Sequence, residues 1–261
     1  MSDAFLAQID WRQPWLAPVK PIAERVLQFS PWQDGLNALA SDLDLRNHRS
    51  LPLCFVPQAD LPAGVAYETF ISESGGVPTR DNLHDFFNAL VWLTYPRIKV
   101  ALNAMQAKEI EQRRHAPAVT RGRTRDAATI FDENAVLLLS SSPAIGDMLR
   151  QHAWRPLFIE QRELLLQECR IQLFGHALME KLVKPYKAIT GHTWVVTAAP
   201  AVLDLPAPEM RAWLDATVAM QLQDGLNTSH FTHLPVLGVP GWWPMQDEAF
   251  YADAAVFRPL R

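Results

Sequence analysis

Residues 75–103, GGVPTRDNLHDFFNALVWLTYPRIKVALN, limit the architecture more than any other stretch, because they read as a helix whose apolar arc is too wide for a surface element. At about 100° per residue, Leu83, Phe86, Phe87, Leu90, Val91 and Leu93 take most of the circumference. Such a helix must be covered by other elements. What remains is a narrow stripe, Asp81, His84, Asp85 and Asn88, closed by Trp92. Thr79 is the expected cap, with Asp81 in the first turn, where the helix dipole favours a carboxylate. A buried helix with a polar stripe lines a cleft, a hydrogen-bonded network or an interface. The sequence leaves the three open.

The rest of the chain predicts short elements. Twenty prolines against eleven glycines, with nine tryptophans, describe stiff, proline-stopped connections. Ser30 and Pro31 suit the start of a helix running through Leu36 and Leu43 to about Arg46. Residues 53–56 and 67–71, rich in aromatic or branched side chains and bounded by proline or glycine, read as strands. Pro96 ends the first helix and begins a second. Residues 121–126 lead into a further helix, with Asn134 expected to be left-handed before a buried strand at 136–139. Helices are expected at 143–148, 176–182 and 208–223, with strands before 176 and at 194–197. Phe231 to Pro244 combines proline and glycine with apolar residues, and reads as an irregular strap across the body. The expected class is α+β, helix-dominated, with a small sheet. One domain spans 1–261: a helical part to residue 50, a mixed core at 51–230 and the strap at 231–261.

With 49% hydrophobic residues over 261, the chain can bury a core without metal or disulfide. A net charge of -4 and the lack of a basic tail argue against a nucleic-acid partner. Two distant cysteines, Cys54 and Cys169, no signal-peptide pattern and no membrane-length apolar run lead to the expectation of a cytoplasmic protein with no membrane partner.

Four segments, ETFISESGGVPTRDNLHDFFNALVWLTYPRIKVALN, RGRTRDAATIFDEN, LFGHALMEKLVKPYKAITGH and HLPVLGVPGWWP, resemble in content and order a family of bacterial proteins defined as domain of unknown function 3025. The resemblance implies one structural unit from the first helix to the C-terminal arginine, and a bacterial cytoplasmic origin. It brings no activity, cofactor or catalytic residue. Where that family suggests Gly after FDEN, this chain has Ala135.

Chemistry must come from the residues. His84 with Asp85, Asp81 and Asn88 can form an acid/base group, His84 carrying the proton and the carboxylates orienting it. The same helix face can also act as a capping network. His84, Asp85 and Asp126 are candidate ligands for a divalent metal, and the order His48, His84-Asp85, Asp126 matches that of certain metal phosphohydrolases. Arg121, Arg123 and Arg125 share one side of an extended segment. With Arg80, Arg97 and Lys99 they can hold a small anion, or pair with nearby carboxylates. His176, Glu180 and Lys184 lie along one helix edge, which reads as solvent-facing, and His230 and His233 form another possible imidazole pair. Walker, dinucleotide, nucleophile-elbow and paired CxxC motifs are missing. The leading expectation is an enzyme performing acid/base or metal-assisted hydrolysis on a small anionic or phosphorylated substrate. The alternative is a binding or protein-interaction module with a buried structural polar network.

Overall fold

The structure, a computed structural model, describes residues 3–114 and 123–260. Helices α1 (Lys20–Val26) and α2 (Trp32–Asp42) precede strand β1 (Cys54–Pro57), helix α3 (Tyr67–Ser74) and strand β2 (Gly76–Thr79). β1 and β2 form a parallel pair, Cys54 opposite Gly76 and Pro57 opposite Thr79. The segment from Tyr67 is therefore a helix and not the expected strand. Gly75 explains why: at φ 77° it is a left-handed C-cap donating its N–H to the Ile71 carbonyl. A Cβ there would lie 2.2 Å from the Pro52 carbonyl oxygen, so this turn requires glycine for space as well as conformation.

The helix expected from residue 80 is α4 (Leu83–Thr94), buried from Asp85 onward. Its cap is Asn82, whose side chain accepts the Asp85 N–H at 2.8 Å, and not Thr79, which ends β2. Pro96 opens α5 (Pro96–Arg114) as expected. The first turn of α5 is capped from outside: Asp215 accepts from the Arg97 and Ile98 N–H groups at 3.1 and 2.9 Å.

Helix α6 (Arg123–Asn134) runs directly into β3 (Ala135–Ser140), whose residues are all buried. Asn134 is not left-handed; the non-glycine residues with positive φ among those described are Asp44, Ser50 and His152. The tight approach occurs elsewhere. After α7 (Pro143–Arg150), α8 (Arg162–Glu168) and β4 (Cys169–Leu173), Gly175 passes over the α6–β3 junction. Its N–H donates to the Ala135 carbonyl at 2.9 Å, and a Cβ would meet the Glu133 carbonyl oxygen at 2.5 Å. Helix α9 (His176–Lys181) is thereby set against α6 and α4.

Strand β5 (Thr190–Thr197) pairs parallel with β3, which pairs antiparallel with β4. After α10 (Pro200–Leu203) and α11 (Ala207–Gln221), β6 (Thr232–Pro235) adds antiparallel to β5, giving the order β4-β3-β5-β6. The start of the expected irregular strap is thus an edge strand, where a terminal proline costs no interior ladder bond. Its later part packs by side chains: Trp242 lies 6.0 Å, centroid to centroid, from Trp15. Helix α12 (Glu248–Tyr251) follows. The fold is α+β and helix-dominated. No helix among the described residues is long and apolar enough to cross a membrane.

Candidate functional site

The polar stripe of α4 divides into three parts. Asp81 lies outside the helix, exposed, and accepts a hydrogen bond from the Gln33 side chain. Asp85 is buried and takes three donors from Arg80: the backbone N–H at 2.7 Å, Nε at 2.9 Å and Nη2 at 3.0 Å. This bidentate pair fixes the β2–α4 turn. Asn88 donates to the Tyr67 hydroxyl at 3.0 Å and accepts from Lys99 Nζ at 2.8 Å. Lys99, only 3% exposed, also donates to Asp132 and lies over the Trp92 ring.

His84 is engaged at both ring nitrogens. Its Nδ1 is 2.9 Å from Glu180 Oε2, and its Nε2 is 3.0 Å from Nε2 of His176. The edge of α9 that reads as solvent-facing instead closes over α4: His176 is buried, while Glu180 and His84 keep 39% and 37% of their side-chain surface. Lys184 lies beyond the end of α9. His176 Nδ1 has no hydrogen-bond partner, and Asp132 Oδ2 lies 3.9 Å from it.

These groups meet at an open pocket of about 330 Å³ whose lining includes Tyr67, Glu68, His84, Asn88, Asp132 and His176. Burial pushes the Glu68 carboxyl up to about 7, with the Asp132 charge adding to the effect against the Asn103 hydrogen bond, Lys99 and Arg125. Burial, the largest influence, opposes ionisation of Asp132, but Lys99, His176 and His84 together outweigh it and hold that carboxyl below its ordinary value. His176 is pushed down to about 4, chiefly by burial and then by the Lys99 charge despite the pull of Asp132, so it is neutral at neutral pH.

The residues singled out in sequence are only partly brought together. His84, Asp85, Asn88 and Arg80 line this pocket. Arg97 opens onto a separate groove between α5 and α11, which His48 also lines. Arg121 and the side chain of Arg123 lie outside the described residues, and Arg125 is exposed on the first turn of α6. Asp126 is exposed, Asp85 is occupied by Arg80, and His48 bonds Ser72 Oγ at 2.8 Å, so neither metal set assembles. Among the described residues no group of three or more His, Cys, Asp or Glu is arranged to hold a metal ion. His230 caps the turn at Asn227 while His233 faces His192, so that imidazole pair does not form either. Tyr67, Glu68 and Asp132 were not anticipated, and Lys99, expected beside the arginines around an anion, is instead held by Asn88 and Asp132. Reading 67–71 as a strand hid the first two. Lys99, Asn103 and Gln106 interrupt the buried face of α5 at helical spacing, and that polar run was the available signal for a pocket against α3 and α6.

No curated protein and no solved structure matches the chain. The family model described as Protein of unknown function (DUF3025) matches residues 53–261, which include every residue of the pocket, and the chain belongs to that family.

Proposed function

We propose that this pocket is the active site of an enzyme working by general acid/base chemistry, hydrolysis or a related reaction, on a small polar substrate. The observation that carries the reading is the 3.0 Å contact between the Nε2 atoms of His84 and His176, which links a half-exposed carboxylate to a buried histidine of the pocket wall. Glu180 accepts from Nδ1–H of His84, so a neutral His84 offers Nε2 as an acceptor. His176 must then donate from its own Nε2, leaving its Nδ1 bare beside Asp132, a neighbour in the pocket wall.

In that arrangement a proton released in the pocket is taken by His176 Nδ1. The Nε2 proton of His176 passes to His84 Nε2, and the Nδ1 proton of His84 leaves through Glu180 to solvent. Every bond broken is matched by one formed. The low basicity of His176 suits a carrier on which charge does not rest. Glu68, near half-protonated at neutral pH, serves as the acid or base facing the substrate. Asp85 with Arg80, and Asn88 with Lys99, hold the two helices in place and act on geometry.

The pairing of those last four residues also supports the second reading, a binding module with a structural polar network. The two readings separate on turnover. The purified protein is incubated with a complex metabolite mixture, and each component is followed by mass spectrometry. The enzyme reading expects one component consumed by the wild type and spared by His84→Gln. A component retained on the protein but never consumed, by either form, would assign the binding module.

A further inference from the structure

The pocket is acidic. Four carboxyl groups, Glu68, Asp85, Asp132 and Glu133, line it against a single guanidinium, Arg80. Asp85 already holds that guanidinium, and the nearest ammonium, Lys99, is held by Asp132 and Asn88. Arg125 acts on Glu68 from an exposed position at the start of α6. Of the described arginines that suggested a small anion, Arg80 is taken up by Asp85 and Arg97 opens onto the other groove.

A second observation is independent of the carboxylates. His176 is 4% exposed, and its Nδ1 has no hydrogen-bond partner. With Nε2–H directed at His84, this Nδ1 is a bare acceptor. It faces Asp132 Oδ2, also an acceptor, across 3.9 Å. A buried acceptor without a donor, turned toward a part-exposed carboxylate oxygen, carries an unmet cost. One group bearing several N–H donors, placed between them on the pocket side, satisfies both.

Building on the acid/base reading, we propose that the substrate carries a primary ammonium group, bound between His176 Nδ1 and Asp132 with Glu68 as its second anionic contact. The geometry suits an ammonium, a compact charge with three donors and no acceptor. The proton path then begins on the ligand's own nitrogen. Transfer of one N–H proton to His176 Nδ1, with the Nε2 proton of His176 moving on to His84, leaves a neutral amine in the pocket. The lone pair freed by that transfer makes the amine a nucleophile. Binding a cation beside Glu68 also favours its ionised form, so affinity rises with pH as Glu68 loses its proton near 7. The groups facing Glu68 are Asn103 and Lys99 from α5, and Asp132 and Arg125 from α6.

The test is calorimetric titration of the full chain with four probes of similar size: 1,4-diaminobutane, 1,4-butanediol, succinate and inorganic phosphate. The expected result is saturable binding of the diamine alone, tighter above neutral pH than below it. Glu68→Gln, which keeps shape and the Asn103 contact, weakens that binding by about tenfold, the worth of one charge-assisted contact. Binding of succinate or phosphate in place of the diamine overturns the proposal, as does equal diamine binding by Glu68→Gln or binding of no probe. The outcome is separable from the enzyme reading. Diamine binding with nothing consumed from the metabolite mixture retains the cation site and removes the enzyme, whereas His84-dependent turnover of an anion does the reverse.

Discussion

Lys99→Met destabilises the protein by about 3–5 kcal/mol at neutral pH, the cost of leaving one member of a buried ion pair without its partner. Methionine fills a similar volume, so the loss is electrostatic and not a cavity. Lys99 is 3% exposed and donates to both Asp132 and Asn88, so its removal strands a carboxylate and an amide oxygen together. The pH dependence identifies the cause. In the wild type the folded pKa of Asp132 is lowered, so the pair's contribution is present above the unfolded value near 3.8 and is lost as pH falls. Without Lys99, burial is opposed only by His176 and His84, and that pKa rises from its wild-type position. The deficit of the variant is then largest at neutral pH and shrinks on acidification. Chemical denaturation across pH reads this directly, and adding Asp132→Asn to Lys99→Met recovers much of the loss. A cost below about 1 kcal/mol would mean that solvent screens the pair.

Glu68→Gln acts in the opposite direction on stability. A carboxyl raised from 4.5 to about 7 is disfavoured in its ionised form by the fold. The sign follows: the cost of Glu68 is nil below the unfolded value, grows as pH rises through the interval and is complete above 7. The full shift corresponds to about 3 kcal/mol, and water entering through the pocket reduces it, so the variant gains about 1–3 kcal/mol at alkaline pH and nothing at acid pH. The same substitution lowers turnover by roughly 100- to 10,000-fold, the usual contribution of a positioned acid or base. A gain in stability with a loss of activity marks a group retained for chemistry. Loss of stability on this change would instead make Glu68 a structural residue held by Asn103.

Local signals in the sequence carried the backbone well where one residue decides the matter. Pro96 can only start α5, and the wide apolar arc of α4 required burial. The signals failed where distant contacts decide. Residues 67–71 have the aromatic and branched residues of a strand, yet the left-handed Gly75 and packing against α5 make Tyr67–Ser74 a helix. That single reversal concealed Tyr67 and Glu68. His84 was legible because a histidine on an otherwise apolar helix needs an explanation. Its partners were not, because His176 and Glu180 reach it only through the Gly175 crossing between β4 and α9, a close approach that no spacing rule describes. Asp132 sat in plain view within FDEN, but attention to the arginines before it pointed to the exposed first turn of α6 instead of its buried end.

The central claim is that His84 and His176 carry a proton between the pocket and solvent. Nitrogen-resolved NMR of the histidine side chains near neutral pH tests it most directly, with His84→Gln and His176→Gln used for assignment. The account predicts His84 protonated at Nδ1 toward Glu180, and His176 neutral, protonated at Nε2 and bare at Nδ1. A His176 protonated at Nδ1, with its Nε2 bare while His84 is neutral, would contradict it, because no proton could then pass from His176 to His84.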